Sequence, residues 1–241
     1  MTKSAVVLGV GASNGVGGAL ARRFAAEGLH AIVAGRTLEK VAAVVEGIKA
    51  AGGSAEAVRT DVTQANDQDA LFERVAARGE VAAVLYNAGN NAIIPFEQLD
   101  PETYETFWRV GNFGAFLTAK RAIPILKEQG QGSLFFTGAS GSMRGKSNFA
   151  HFASMKAGLR MLAQSLAREF GPAGVHVAHF VIDGVINGEM VQSLIPEYLE
   201  KLGEDGALAP DAIADAFWHV HTQHRSAWTH ELDLRPFKEN W

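Results

Sequence analysis

The chain has no cysteine in its 241 residues. That excludes a disulfide framework, a cysteine-ligated zinc or iron–sulfur site and a thiolate nucleophile, and it fits a reducing compartment, with the cytoplasm as the expected location. An excess of one charge is also missing. The 22 Lys and Arg against 26 Asp and Glu leave a formal −4, without a basic run, so no nucleic-acid partner is expected. No apolar run approaches the ~18 residues of a membrane span, and the glycine-broken start MTKSAVVLGVGAS does not resemble a cleaved leader, so a soluble, unprocessed chain is expected. The 7 prolines form no Pro/Gly/Ser linker, so residues 1–241 read as one domain. His219 and His221 diverge on a helix, and no fourth ligand joins them and His224, so no metal is expected.

What is present is an alternation. Apolar, β-branched runs at Ala5–Val10, Ala31–Ala34, Ala55–Val58, Val81–Leu85, Ser133–Thr137 and Val175–Ile182, with a weaker one near Ala227–Leu234, suggest seven strands. Between the first six lie helical stretches at Val16–Glu27, Leu38–Ala51, Ala65–Ala77, Pro101–Lys127 and Phe152–Phe170, mostly closed by glycine. Strand, helix, strand repeated predicts an α/β fold, a parallel sheet with helices on both faces. Runs such as VAAVLY suit a sheet buried on both sides. Residues 187–210 break the rhythm after the sixth strand. Their apolar residues fall near helical spacing, at the strand end where such sheets bind ligands, and they read as a substrate lid; an insertion helix packed on the core or on another subunit is the other reading.

The first strand runs into Gly9-Val10-Gly11-Ala12-Ser13-Asn14-Gly15-Val16-Gly17-Gly18 and then a helix. Glycines there let backbone N–H groups and the positive end of the helix dipole approach a diphosphate. Gly11-x-x-x-Gly15-x-Gly17, Asp61-Val62, Asn87-Ala88-Gly89 and the helix around Lys156 follow one another in the order and spacing of the short-chain dehydrogenase/reductase family, which the chain resembles over nearly its whole length. The resemblance implies a Rossmann-type, doubly wound seven-stranded sheet in the order 3-2-1-4-5-6-7, a nicotinamide cofactor, a small-molecule substrate and a homo-oligomer, dimer or tetramer. It also implies roles: Ser13 and Val16 with the glycines at the cofactor's diphosphate, Asp61 and Val62 at the adenine, and Asn87, Ala88 and Gly89 along its middle. Lys156 falls to the nicotinamide ribose, with Gly184 and Val185 close by. The long helices Thr103–Lys127 and Phe152–Phe170 match the family's association helices, and Phe107, Trp108 and Phe116 would give them an apolar surface.

Cofactor type is read after the second strand, where a carboxylate would bind the ribose hydroxyls and repel a 2′-phosphate. Here that stretch is Ala34-Gly35-Arg36-Thr37. Arg36 offers a planar fork for phosphate and Thr37 a hydroxyl, which favours NADP(H) over NAD(H). Asn14 stands where many NADP-preferring relatives carry a second basic residue.

The catalytic residues depart from the family's Tyr-x-x-x-Lys. This chain reads Phe152-Ala153-Ser154-Met155-Lys156, and Phe149 stands at the longer enoyl-reductase spacing. The family's serine position falls on Ala139, with Ser140 and Ser142 close by, and its asparagine position on Gly111, with Asn112 next. Only Lys156 is kept. Replacement donors in the right segments are Ser140, Ser142, Asp183 and Tyr198, with an Asp-Gly turn as the other reading of Asp183. His151 lies about 140° round the helix from Lys156 and is poorly aimed. Two functions follow. One is an NADP(H)-dependent oxidoreductase with an atypical proton donor, acting on a small apolar carbonyl or alcohol or on an activated C=C bond. The other is a catalytically impaired protein that binds or senses NADP(H).

Overall fold

A computed structural model describes residues 2–239. The strands are β1 (Ser4–Leu8), β2 (His30–Gly35), β3 (Ser54–Arg59), β4 (Val81–Tyr86), β5 (Ser133–Thr137), β6 (His176–Ile182) and β7 (Glu231–Leu234). The helices are α1 (Val16–Ala26), α2 (Leu38–Ala50), α3 (Ala65–Arg78), α4 (Pro101–Trp108), α5 (Gly114–Gln129), α6 (Ala150–Phe170), α7 (Glu189–Leu194), α8 (Pro196–Leu202) and α9 (Pro210–His221). The strands form one seven-stranded sheet in the order 3-2-1-4-5-6-7. Every neighbouring pair is parallel.

Alternate side chains of one strand point to opposite faces, and both faces are covered. Ala5 and Val7 of β1 pack in a core with residues of α1, α2 and α9. Val6 and Leu8 pack in the opposite core with α3, α5 and α6. This is the Rossmann-type arrangement expected from the sequence. β1 pairs with β2 on one side and β4 on the other, so the chain reverses direction across the sheet at the carboxyl end of β1, where such sheets leave a crevice for ligands.

Several boundaries correct the expectations. β1 ends at Leu8 instead of Val10, because Gly9 turns the chain with φ +82. β7 begins at Glu231 instead of 227, residues Arg225–Ala227 forming a 3₁₀ turn, and α6 begins at Ala150, two residues before the expected Phe152. The expected Pro101–Lys127 helix starts on cue: Asp100 accepts from the Thr103 N–H at 2.7 Å with Pro101 in the first turn. It is interrupted by one π-helical segment, Arg109–Phe113. The Tyr86 hydroxyl, fully buried on β4, donates to the Val110 carbonyl inside that segment. A π-turn inside an α-helix is a frequent mark of a functional region, and this one contains Gly111.

Candidate functional site

At the carboxyl end of β1, Gly9 passes beneath the segment after β4. A Cβ on Gly9 would stand 2.3 Å from the Ala88 nitrogen, so only glycine fits. Asn87 ties the two strands together: its N–H donates to the Leu8 carbonyl at 2.9 Å and its Nδ2 to the Gly9 carbonyl at 3.3 Å. Gly15 caps α1 and spends its own N–H on Ala12, leaving the first-turn N–H groups of Val16, Gly17 and Gly18 without an intrahelical acceptor. No acidic side chain neutralises that turn, and a Cβ on Gly11 would meet only open space. A cavity of about 460 Å³ lined by Ser13, Asn14, Arg22 and Glu189 opens beside the loop. Exposed N–H groups at an open helix start fit a diphosphate.

Along the same edge, Arg36 is exposed and its guanidinium has no partner among the described residues. Thr37 caps α2 through its backbone, its hydroxyl unengaged. Asp61 forms a local turn, its carboxylate accepting from the Thr63 N–H at 3.0 Å and the Thr63 hydroxyl at 2.8 Å. Val62 is buried in the core.

Further across the sheet, Lys156 is buried, and its Nζ donates to the Thr137 carbonyl at the end of β5 at 2.7 Å. Burial lowers its pKa from 10.5 to about 8. A Cβ on Gly89 would stand 3.3 Å from Nζ, so the segment after β4 lies against the ammonium. The half-buried Phe152 ring centre is 5.9 Å from Nζ, and its edge rests on the Ser140–Ser142 turn, where a Cβ on Gly141 would be 2.9 Å from Cδ1. Lys156, Phe152 and that turn, joined in the sequence reading only by spacing, are therefore in contact.

At Gly111, the expected asparagine position, the space is filled from α6. A Cβ on Gly111 would stand 2.0 Å from Met155 Sδ, and Met155 is fully buried. Asn112 lies against α6, where a Cβ on Gly158 would be 2.4 Å from its Nδ2. Ala139 is buried, and its N–H donates to Ser142 Oγ at 3.2 Å. Ser142 faces inward, with its Oγ 3.2 Å from His179 Nε2. His179 Nδ1 lies 3.1 Å from Glu231, which Arg160 grips through two bonds of 2.7 and 2.8 Å. Burial pushes His179 down to about 4, so the ring is neutral at pH 7. The Glu231 carboxylate can only accept, so Nδ1 carries the proton and Nε2 accepts from Ser142. Ser142 is thereby committed to the sheet, while the half-buried Ser140 hydroxyl has no partner among the described residues.

Asp183, expected as a possible donor, is buried and clamped. Arg144 Nη2 reaches both its oxygens at 3.0 and 2.9 Å, and Arg235 Nη2 lies 3.4 Å away. Two guanidiniums thus face the Asp183 side chain, and the contacts tie the loop after β5 to the end of the sheet. Gly184 follows against Pro236, and the Val185 carbonyl accepts from Leu208 at 2.7 Å, joining the two roots of the α7–α8 segment. Tyr198 lies exposed on α8. His151 is buried edge-on to Phe107, its centroid 4.3 Å away, with neither ring nitrogen hydrogen-bonded at ordinary distance. Met155, Arg144, His179 and Glu231 escaped the sequence reading. A histidine inside the apolar run HVAHFVI was the one visible signal.

The α7–α8 segment lies on the glycine loop. Asn14 Nδ2 donates to Gln192 Oε1 at 2.9 Å, its Oδ1 accepts from the Glu189 N–H at 3.2 Å, and Lys40 Nζ pairs with Glu189 at 3.2 Å. Among the described residues no helix is long and apolar enough to cross a membrane.

The family description "short chain dehydrogenase" matches residues 5–198. The uncharacterized oxidoreductase YuxG of Bacillus subtilis is 35% identical over 216 residues, 88% of this chain; the match is 31% of YuxG, so the chain spans about a third of that protein. A short-chain dehydrogenase from Rhodopseudomonas palustris superposes with a TM-score of 0.82 at 33% identity, covering 97% of this chain and 99% of that one. A metagenomic short-chain oxidoreductase solved in complex with NADP superposes with a TM-score of 0.83 at 26% identity, covering 97% of each chain. With the glycine loop, the Asn87–Gly89 turn and Lys156 all set along one sheet edge, the chain belongs to the short-chain dehydrogenase family.

Proposed function

We propose that the protein is an NADP(H)-dependent oxidoreductase acting on a small apolar substrate with a proton donor other than tyrosine. The observation that carries the cofactor choice is the exposed, unpartnered Arg36 at the end of β2, with the Thr37 hydroxyl beside it. A free guanidinium there would take a 2′-phosphate through charge-assisted hydrogen bonds. The open N–H groups at the start of α1 would hold the diphosphate, and Lys156 and Gly89 the nicotinamide ribose. The relative that holds NADP supports this reading.

The nicotinamide, when bound, supplies or accepts the hydride. This chain's residues orient the substrate, keep water out and manage charge. Lys156, held on the Thr137 carbonyl, carries a proton at neutral pH and gives it up near pH 8, within reach of a working reaction. Phe152 has no proton to give. Ser140, on the turn that supports the Phe152 ring, keeps a hydroxyl unspent and is the favoured donor or polarising group, with Tyr198 the alternative should residues 187–210 close as a lid. Phe152, with the Phe149 ring 6.5 Å away, gives this region apolar atoms, which suits an activated C=C bond or an apolar carbonyl.

One observation favours a second reading, a protein that binds or senses NADP(H) without turnover. The Met155 thioether fills the volume that a side chain on residue 111 would need. Turnover against a carbonyl and enone panel separates the two. Trp108 and Phe116, exposed on either side of the half-buried Phe113 with ring centres 5.8 and 6.2 Å from it, would be the homo-oligomer contact.

The test of the cofactor reading is a fluorescence titration with NADPH and NADH. Arg36→Ala is expected to weaken NADPH by about 1.5–3 kcal/mol, roughly 10- to 100-fold, and to spare NADH. Equal affinities in the unaltered protein would overturn it.

A further inference from the structure

The first turn of α7 occupies groups that the cofactor edge would otherwise leave open. Asn14 spends both polar atoms of its amide on Gln192 and the Glu189 N–H, and Lys40 spends its ammonium on the Glu189 carboxylate. Lys40 is the third residue of α2, and Thr37 is that helix's cap. Cap and third residue are the positions whose side chains meet at a helix start, so Lys40 stands with Thr37, the residue that follows Arg36. Of the two cations at the start of α2, Arg36 has no partner among the described residues and Lys40 holds an acid from a segment 149 residues away.

The contact is exchangeable. Lys40 and Glu189 are both about half exposed, at 50% and 51%, and such pairs are worth little. α7 and α8 contain no buried residue, and Met190, Leu194, Ile195 and Tyr198 stand exposed. The segment is therefore footed on polar contacts and on its tied roots at Val185 and Leu208. A carboxylate on an ammonium has the chemistry of a phosphate on that ammonium, with less charge.

We propose that Glu189 is a place-holder for the 2′-phosphate on Lys40. A 2′-phosphorylated dinucleotide exchanges the carboxylate for its own phosphate and releases the first turn of α7; a dinucleotide without that phosphate leaves the pair intact. Lys40 is then a second determinant of cofactor choice beside Arg36, and Glu189 sets a threshold that favours the more highly charged ligand. The inference rests on the NADP(H) reading above.

Binding of NADPH and NADH to variants, by calorimetry, tests it. Glu189→Gln is expected to tighten NADPH about two- to fivefold, the range of one exposed ion pair, and to leave NADH unchanged. Lys40→Ala should weaken NADPH alone, and in that background Glu189→Gln should have no effect. Glu39→Gln, an exposed acid in the same first turn of α2, controls for general charge and should do less. Hydrogen exchange of the amides in residues 189–195 should rise with adenosine 2′,5′-bisphosphate and not with adenosine 5′-monophosphate. A preference for NADPH that ignores Glu189, an equal response to Glu39→Gln, or exchange insensitive to the 2′-phosphate overturns this inference alone. A parent protein indifferent to the 2′-phosphate, with Arg36→Ala silent, overturns the cofactor reading and this inference with it.

Discussion

The two halves of the sheet's carboxyl edge treat their polar groups in opposite ways. Around β1 and β2 they are left open: Gly11 faces empty space, the first turn of α1 keeps its N–H groups, and Arg36 and the Thr37 hydroxyl have no partner among the described residues. Around β5, β6 and β7 most are closed on one another, the Ser140 and Thr137 hydroxyls being exceptions among the described residues. Ser142 is spent on His179, His179 on Glu231, Glu231 on Arg160, and Asp183 on Arg144 and Arg235. An open edge costs little in water and awaits a charged ligand. A buried edge must satisfy itself, because unpaired polar atoms there cost about 1–3 kcal/mol each. The family pattern survives on the open side and is altered on the closed one.

The largest expected effect would break this contrast by restoring the closed side. Phe152→Tyr with Ala139→Ser should create or raise NADPH-dependent carbonyl reduction by about 10²–10⁴-fold, the range a positioned acid supplies. Steady-state NADPH oxidation over a carbonyl panel measures it for parent, single and double variants. A double variant that folds, binds NADPH and gains nothing would show that residue 152 is not where a donor acts.

Next comes the buried ammonium. The folded chain gives up the Lys156 proton near pH 8 and the unfolded chain near 10.5, so between those values the unfolded state binds more protons and stability rises with pH. Lys156→Met should flatten that rise, worth up to about 3 kcal/mol, in denaturant titrations at pH 7 and 10. An unchanged slope would mean the lysine is solvated.

Gly111→Asn should cost about 1–3 kcal/mol, since the new side chain meets Met155 Sδ. Combined with Met155→Ala, the loss should be smaller than the sum of the two single losses. Additive losses in that cycle would remove Met155 from the account. The smallest effect is expected at Arg144→Ala. Its side chain is 55% exposed and Asp183 keeps Arg235, so stability should fall by no more than about 1 kcal/mol. A loss of several would make the clamp a principal support of the loop after β5.

Much of the open side was legible because its chemistry is local. Gly9 to Gly17 form one contiguous loop between a strand and a helix, and Arg36 and Thr37 follow one strand, so local order and residue type are enough to suggest a diphosphate and a phosphate-seeking edge. The closed side was legible only in what it lacks. Phe152 at the tyrosine spacing can be read, whereas Asp183 reads as a candidate donor or an Asp-Gly turn, and neither reading contains its contacts to Arg144 and Arg235. The π-segment was hidden because Gly111 and its neighbours fit a continuous helical period; what distinguishes the segment is the Tyr86 hydroxyl arriving from β4.

By itself the sequence determined the alternation of strands and helices, the glycine loop and a phenylalanine four residues before Lys156, since each is written in residues near one another along the chain. Tertiary structure alone decided that Met155 fills the space at Gly111, that Ser142 answers to His179 across 37 residues, and that Asn14 holds Gln192 across 178. The physical reason is range. Propensity, turn chemistry and periodicity act over a few residues, whereas a volume clash or a hydrogen bond between distant segments exists only once the sheet has brought them together.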